Sequence, residues 1–126
     1  MSNLTNFSEN QLLVWQLTNG AVTRPTAWFV GVGTGHTDIT LTGEPSGNGY
    51  ARQAITFSVT NDTATNTALL VFGPASVAWG SMASVGVFTA ASGGDCLWTG
   101  ALAAPRTIDV GDSLTIAAGA LTQTLA

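Results

Sequence analysis

The single histidine of the chain lies two residues from an aspartate, and this pair is the first candidate for catalysis. His36 and Asp38 could belong to a Ser-His-Asp arrangement. The sequence has no Gly-x-Ser-x-Gly elbow that would present a reactive serine. A His-x-Asp pair among glycines is more often part of a turn, so we expect no nucleophilic catalysis here.

Residues 31–36 read Gly-Val-Gly-Thr-Gly-His and invite comparison with a nucleotide-binding loop. A phosphate-binding loop needs a helix after it, and the P-loop form needs a Lys followed by Ser or Thr. Neither follows this segment, so we interpret it as a flexible loop end.

Asp109 and Asp112 are the least implausible pair for glycoside hydrolysis, which uses two carboxyl groups. They flank a turn, however, where aspartate is favoured because it forms local hydrogen bonds. One histidine and one cysteine cannot build a zinc site, and no aspartate-rich calcium loop is present. The sequence therefore predicts a protein that is not an enzyme and has no metal or other cofactor.

Five residues are candidates for contact with a neighbouring molecule: Arg52, Tyr50, Gln53, His36 and Trp15. Arg52 interrupts a run of small residues in a chain with few charges. It could bind a carboxylate on a neighbouring subunit, or pair internally with Glu44 or Asp62 and fix a turn. Most aromatic residues alternate within predicted strands and belong in the core rather than in a sugar-binding platform. Trp15, on the predicted helix, is the least certain of them.

The composition agrees with an assembly protein, although a low-charge β domain that simply sits in solvent would share it. Only 8% of the 126 residues are charged, there is no lysine, and the net charge is −4, against about 25% charged residues in typical domains. The surface must therefore consist of short neutral side chains, which lose little rotamer entropy on contact. Nucleic-acid binding needs clustered basic residues, which are absent.

The lone Cys96 excludes an intramolecular disulfide, and its place in a predicted strand favours a buried, small apolar role. The first residues lack the basic and apolar regions of a signal peptide. No apolar run approaches the ~18 residues of a membrane span. We expect a protein that is made in the cytoplasm and has no membrane partner.

A helix at about residues 5–18 precedes a β body at about 26–126, and we expect a single domain over 1–126. Thr5 or Ser8 can cap the helix, and Ser8-x-x-Gln11 has the form of a capping box. Leu4, Phe7, Leu13, Leu17 and part of segment 12–14 form an apolar stripe. This stripe could lie against the β body or reach a neighbouring subunit; we favour the β body.

The rest of the chain reads as short strands separated by turns, which predicts a mainly β fold, either a β-sandwich or a jelly-roll-like barrel. Residues 92–95 and 110–113 are both predicted as hairpin turns. Residues 31–49 are predicted as the largest exposed loop. The predicted strands cover residues 27–32, 39–42, 50–60, 67–72, 77–79, 84–90, 96–103, 107–110, 113–117 and 120–125.

Four segments in order resemble a family of small tailed-bacteriophage virion proteins. The first is Gly-Tyr-Ala-Arg-Gln at residues 49–53, followed by a strand. The others are Ala-Trp-Gly-Ser at 78–81 leading to 85–88, Ala-Ala-Ser-Gly-Gly-Asp at 90–95, and Val-Gly-Asp-Ser at 110–113 leading to 117–121. Members of this family are labelled tail-fibre-like, and some similar proteins are capsid decoration or cement proteins.

The resemblance implies a non-enzymatic structural protein on the virion. A compact chain without fibrous repeats favours capsid decoration, with the major capsid protein and copies of the chain itself as partners on the capsid exterior. The alternative is a tail-fibre or tail-tip protein that contacts other tail proteins and binds a host glycan. Both interpretations stay open at this point.

Overall fold

A computed structural model describes residues 4–125, which form one α-helix followed by eleven β-strands. Strands make up 42% of the chain and helix 10%, which confirms the mainly β, sandwich-like fold with one helix near the N-terminus. The elements are α1 (Asn6–Leu17), β1 (Phe29–Gly33), β2 (Gly35–His36), β3 (Leu41–Thr42), β4 (Gln53–Ala54), β5 (Phe57–Thr60), β6 (Thr63–Asn66), β7 (Leu70–Phe72), β8 (Gly80–Phe88), β9 (Cys96–Ile108), β10 (Leu114–Ile116) and β11 (Thr122–Thr124).

The largest sheet has the strand order β4-β1-β8-β9 and is antiparallel throughout. The alternation in β1 places Val30 and Val32 on one face, where both are fully buried. They pair with Val87 and Val85 of β8. Between these pairs Gly31 lies opposite Gly86, so the other face of the sheet is open to close approach by neighbouring segments.

The core lies between this sheet and the two-stranded sheet β7-β10. Phe72 of β7 is fully buried and pairs with Leu114 of β10, and both belong to the same apolar cluster as Val30, Val87 and Met82. Each such side chain contributes about 1.5–3 kcal/mol through burial. The smaller sheets are β11-β6-β5 and the hairpin β2-β3.

The predicted turn at residues 92–95 does join two antiparallel strands, β8 and β9. Gly93 and Gly94 both have positive φ, at 65° and 71°, which glycine adopts without strain. Thr89 and Asp95 close the turn, with the Thr89 amide donating to the Asp95 carbonyl at 3.0 Å and the Asp95 amide donating to Thr89 Oγ1 at 3.0 Å.

Strand β9 was predicted as two strands, and the structure shows one. Its pairing with β8 passes from Met82–Arg106 to Ser84–Ala101, so residues 102–105 bulge outward opposite Ala83. Pro105 is tolerated there because β9 is an edge strand and a bulge needs no ladder hydrogen bond from it.

The strands predicted from the sequence are also wrong at two other places. Residues 50–60 do not form one strand, because Ile55 turns inward and its amide donates to the Trp28 carbonyl at 3.0 Å. The strands on either side of Ile55, β4 and β5, belong to different sheets. Strand β6 was missed; it follows a tight turn in which Asn61 takes a left-handed φ of 55°.

The turn at 110–113 is not a hairpin, because β10 pairs with β7 rather than with β9. Residues 31–49 are not one exposed loop either. Gly31 and Gly33 lie buried in β1, and β2 and β3 form a hairpin within this segment.

Helix α1 is attached to the β body by its first residues. Thr5 is the N-cap and accepts a hydrogen bond from the Ser8 amide at 3.4 Å, so the Ser8 capping box is wrong. The Thr5 hydroxyl donates to the Cys96 carbonyl at 2.6 Å, and the Thr5 amide donates to the Leu97 carbonyl at 3.1 Å. A bridge between Leu4 and Trp98 extends this contact with β9.

The apolar stripe predicted for α1 packs against the β body only in part: Leu4 packs against the core and Leu12 is half-buried, but the other named residues of the stripe are exposed. Phe7, Leu13 and Leu17 are 38%, 57% and 74% exposed, whereas Ser8 is the buried residue of the helix. Because successive helical residues turn by about 100°, Leu17 lies on the side opposite Ser8. The buried face of the helix is therefore the one that carries Leu4, Ser8 and Leu12, and the prediction was wrong for Leu13 and Leu17.

Candidate functional site

The Gly-Tyr-Ala-Arg-Gln segment begins at a turn that only glycine can complete. Residues 47, 48 and 49 all have positive φ, at 66°, 58° and 82°. A Cβ atom at Gly49 would collide with the Pro74 carbonyl oxygen. The Asn48 carbonyl in the same turn accepts hydrogen bonds from the Ser76 amide at 2.9 Å and from Trp79 Nε1 at 3.0 Å. The turn is thereby fixed to the segment that precedes β8.

Tyr50 follows this turn and is placed by aromatic contacts. Its ring stacks on Phe72 with centroids 6.1 Å apart and meets the edge of Trp79 at 5.4 Å. Its hydroxyl donates to Glu44 Oε2 and accepts a hydrogen bond from the Val32 amide at 3.1 Å. Burial, and after it the hydrogen bond with the Glu44 carboxylate, raises the pKa of Tyr50, which stays a neutral donor at neutral pH.

Arg52 pairs inside the molecule, which is the second of the two arrangements that the sequence left open. Its Nε atom lies 2.8 Å from Glu44 Oε2, and Nη2 lies 2.9 Å from Glu44 Oε1, so the pair is bidentate. Nη1 donates to the Ala90 and Gly93 carbonyls at 3.0 and 2.9 Å. The guanidinium carbon lies 3.5 Å from the centre of the Phe88 ring. Arg52 thus joins segment 44–52 to the β8–β9 hairpin.

Glu44 is ionised because its partners outweigh the cost of burying it. Burial raises the pKa of the Glu44 carboxyl, but the hydrogen bonds from Arg52 and Tyr50, together with the Arg52 charge, lower it below its usual value of 4.5. The Arg52 pKa is raised, first by its hydrogen bonds to Glu44. A Cβ atom at Gly31 would lie 2.5 Å from Glu44 Oε2, so the glycine of β1 leaves the space that this carboxylate occupies.

The cluster of Glu44, Tyr50 and Arg52 is chemically closed. The carboxylate, the phenol and the guanidinium each find their partners within it or in the adjoining backbone, and the two charges cancel. A hollow of about 440 Å³ beside it is lined by Ser46, Gly47, Ala51 and Ser92 among others. The two charged residues on the lining of this hollow, Glu44 and Arg52, pair with each other, so the cluster serves to hold the fold.

The hydrogen bonds of the other predicted contact residues involve groups outside the cluster of Glu44, Tyr50 and Arg52. Gln53 is half-buried on β4 and donates from Nε2 to the Ala51 carbonyl at 2.9 Å. His36 is exposed on β2, with Nδ1 2.8 Å from Ser84 Oγ. Trp15 is 63% exposed on α1. Their role in contacts with neighbours stays a prediction.

The candidate catalytic groups show local structural roles. The Asp109 amide donates to Asp112 Oδ2 at 3.0 Å, which is the turn hydrogen bonding that the sequence favoured for this pair. Cys96 is buried, and burial raises the pKa of its thiol to about 11. Over residues 4–125, no three His, Cys, Asp or Glu side chains come together in a way that could hold a metal ion.

A groove lies beside α1, lined by residues of the helix and of the β body, and we call it the helix groove. It has a volume of about 490 Å³ and a mainly apolar lining that includes Leu4, Phe7, Val59 and Leu97, with Asp62 and several uncharged polar residues on its wall. A neighbouring hollow of about 480 Å³ shares Trp28, Val59, Leu97 and Trp98 with the helix groove and adds Arg24. Sequence reasoning missed this groove because it expected the helix to cover it.

Helix α1, the helix that the structure describes within residues 4–125, is not long and apolar enough to cross a membrane.

Comparison with known proteins gave one family. A family model described as Podophage GP4 fiber I protein gp80 matches residues 3–124, which is nearly the whole chain and includes all four signature segments. None of the curated proteins matches the chain.

Proposed function

The chain belongs to the family of the podophage GP4 fiber I protein gp80, and from this membership we propose that it is a non-enzymatic structural component of a phage tail fibre. It is a fibre-related structural protein of the virion. The observation that carries the proposal is the match over residues 3–124, because it spans the fold rather than one motif.

Two features of the molecule support this proposal. The signature cluster of Glu44, Tyr50 and Arg52 satisfies its own hydrogen bonds, as expected of residues that maintain a fold rather than react. The low charge leaves a surface that other virion proteins can cover with little desolvation of charged groups.

Capsid decoration, which the sequence favoured, becomes the second candidate. It was preferred because the chain lacks fibrous repeats, but the family description names a fibre protein. A folded domain without repeats can equally be one module of a fibre. The tail-fibre assignment therefore has the stronger support.

Location and copy number on the virion test the assignment. Immunogold labelling is expected on the tail or its fibres, with a few to a few dozen copies per particle. Particles without the protein should keep their DNA on heating as wild-type particles do, and should adsorb more slowly to the host. Hundreds of copies on the head, together with DNA loss on mild heating, would reverse the order of the two candidates.

The host-glycan role remains a separate proposal with its own test. Trp79 and Trp98 are buried in the core, so Trp15 and the half-buried Trp28 are the tryptophans that could meet a sugar ring. A glycan array with the purified protein measures this role directly. A turnover assay on the same glycans, with Asp109→Ala as the control, tests the absence of catalysis.

A further inference from the structure

Two Asn-Gly sequences occur in the chain, and the fold surrounds them differently. One is Asn19-Gly20, directly after α1, and the other is Asn48-Gly49, in the turn that begins the signature segment. Asparagine is a thermolabile residue, and a following glycine favours its deamidation because no side chain hinders attack by the next backbone nitrogen. The two sequences therefore share the same intrinsic chemistry, and their surroundings in the fold decide which of them reacts.

Deamidation requires the asparagine side chain to meet the backbone nitrogen of the next residue. This nitrogen loses its proton and attacks Cγ, the new N–Cγ bond closes a cyclic imide, and the Cγ–Nδ2 bond breaks as ammonia leaves with that proton. Water then opens the imide at either of its carbonyls and gives aspartate or isoaspartate. The peptide group after the asparagine must rotate to allow the attack, so a peptide group that is held in place reacts slowly.

The peptide group between Asn48 and Gly49 is held by contacts on two sides. The Asn48 carbonyl accepts hydrogen bonds from the Ser76 amide at 2.9 Å and from Trp79 Nε1 at 3.0 Å. Gly49 lies so close to the Pro74 carbonyl oxygen that a Cβ atom would collide with it. Rotation of this peptide group would break both hydrogen bonds, so Asn48 can react only when its turn opens locally.

The peptide group between Asn19 and Gly20 has no comparable restraint. Both residues are exposed, and residues 18–28 form neither helix nor strand. Among residues 4–125, none forms a hydrogen bond with the carbonyl or the side chain of Asn19. The Gly20 amide donates to Thr18 Oγ1 at 3.0 Å, which is an exposed contact within the same segment. The Asn19 carbonyl can therefore rotate without the loss of a hydrogen bond.

We propose that Asn19 is a site of spontaneous deamidation in the folded protein, whereas the turn at Asn48 protects the second Asn-Gly sequence. The reaction adds one negative charge to a chain whose net charge is −4. The new carboxylate lies just beyond the C-terminus of α1, where the helix dipole disfavours an anion and the last turn has no basic residue to offset it. Isoaspartate also lengthens the main chain at this joint. The end of α1 therefore loosens as the protein ages.

Incubation of the folded protein in warm, mildly alkaline buffer tests the proposal, with chymotrypsin digestion and mass spectrometry as the readout. Cleavage after Leu, Tyr and Trp places Asn19 in fragment 18–28 and Asn48 in fragment 42–50. Replacement of the amide by a carboxyl should proceed about tenfold or more faster at Asn19 than at Asn48, because Asn48 reacts only through local opening. The same incubation in concentrated urea, which unfolds both sites, should bring the two rates close together.

Two variants separate the chemistry at Asn19 from its effect on the helix. Gly20→Ala should slow the reaction, because the added methyl group obstructs the attack, while the rate at Asn48 stays as in wild type. Asn19→Gln, whose longer side chain closes an imide far less readily, should stay intact and serves as the unreacted reference. Hydrogen exchange in aged wild type should be faster over residues 14–17 than in aged Asn19→Gln, and equal over β8.

Equal rates at Asn19 and Asn48 in the folded protein would overturn the proposal, and so would an Asn19 that stays intact over the time in which it reacts in urea. A difference between the two sites that persists unchanged in urea would also overturn it, since the neighbouring residues rather than the fold would then set the rates. Equal exchange at the helix end in aged wild type and aged Asn19→Gln would contradict the loosening of α1.

Discussion

Arg52 is the residue on which the signature segment depends most. The side chain of Arg52 is only 10% exposed and that of Glu44 is 22% exposed. Arg52 also donates hydrogen bonds to the Ala90 and Gly93 carbonyls, which lie 38 and 41 residues further along the chain. Removing one partner of such a pair leaves the other charge poorly solvated. Arg52 therefore matters through the charge that it would leave behind as well as through the hydrogen bonds that it makes.

We expect Arg52→Ala to lower the free energy of unfolding by about 2–4 kcal/mol, because it strands the Glu44 carboxylate and two backbone carbonyls. Urea denaturation measures this change. Arg52→Lys should recover only part of it, since an ammonium group cannot form the bidentate contact. Arg106→Ala, on the exposed part of β9, is the matched control and should stay within about 0.5 kcal/mol of wild type.

Glu44 should give the protein a specific sensitivity to acid. Its pKa is lowered in the folded state, so its contribution to stability is present above about pH 4.5 and is lost as pH falls through the lower folded pKa. We expect Glu44→Gln to be less stable at neutral pH and to lose less stability between neutral pH and acid than wild type. Urea midpoints from pH 7 to pH 2.5 test this, with Glu9→Gln as the control. Parallel pH profiles for wild type and Glu44→Gln would contradict it.

The sequence could name Arg52 and its possible partners but could not choose between them. Glu44 and Asp62 lie at similar distances along the chain, eight and ten residues away on either side. The choice depends on Gly31, whose missing side chain makes room for the Glu44 carboxylate between β1 and segment 44–52. That space arises from pairing between distant strands, which a single sequence does not show.

At the scale of elements, the β8–β9 hairpin depends on two adjacent glycines with different surroundings. Both have positive φ, but a Cβ atom on Gly94 would lie 2.8 Å from Thr89 Oγ1 and 2.9 Å from the Ala90 Cβ, whereas one on Gly93 would meet open space. A substitution at Gly93 therefore adds backbone strain alone, whereas one at Gly94 adds backbone strain and steric overlap.

We expect Gly93→Ala to cost about 1–2 kcal/mol, the strain of a left-handed residue. Gly94→Ala should cost clearly more, because Thr89 and Ala90 must also move. Thermal or urea unfolding of the two variants compares them directly. Equal losses would mean that the turn relaxes freely around the added methyl group.

Helix α1 is held by a few hydrogen bonds, and Thr5 makes most of them. We expect Thr5→Ala to cost about 1–2 kcal/mol locally, through loss of the cap and of the hydroxyl bond to the Cys96 carbonyl. Hydrogen exchange should quicken across residues 6–17 more than in β8. Thr18→Ala at the exposed C-terminal end of the helix is the control and should leave exchange near Thr5 unchanged.

Local sequence signals predicted the individual elements of this fold better than they predicted which strands pair with each other. Thr5, as one of two possible caps, and the Gly93-Gly94 turn follow from capping and turn rules, and both lie where these rules place them. The pairing of β10 with β7 joins residues about forty positions apart and has no local signal. Leu13 and Leu17 misled the helix prediction, because an apolar pattern cannot show whether the protein itself or a partner covers it.

At the scale of the whole molecule, low charge sets how the protein should respond to salt. The one ion pair among residues 4–125 is internal, between Arg52 and Glu44, and the remaining charges are scattered over the sequence. Contacts with other virion proteins must then depend mainly on shape, apolar area and neutral hydrogen bonds.

We therefore expect attachment to the virion to change little between about 0.05 and 1 M NaCl, because screening acts on charges that this surface largely lacks. Release of the protein from purified particles, followed by sedimentation and immunoblotting, measures it. Release of most copies at moderate salt would instead indicate ion pairs between the protein and its neighbours.

The attachment of α1 at one end has a mechanical consequence. A helix of twelve residues is about 18 Å long, and its start is fixed to β9 by Thr5 and the Leu4–Trp98 bridge. A pulling force applied at Leu17 would pass along the helix axis to these few bonds before it reached the long β8–β9 ladder. The helix would thus act as a tether with a weak link at its base, which yields under load while the β body stays folded.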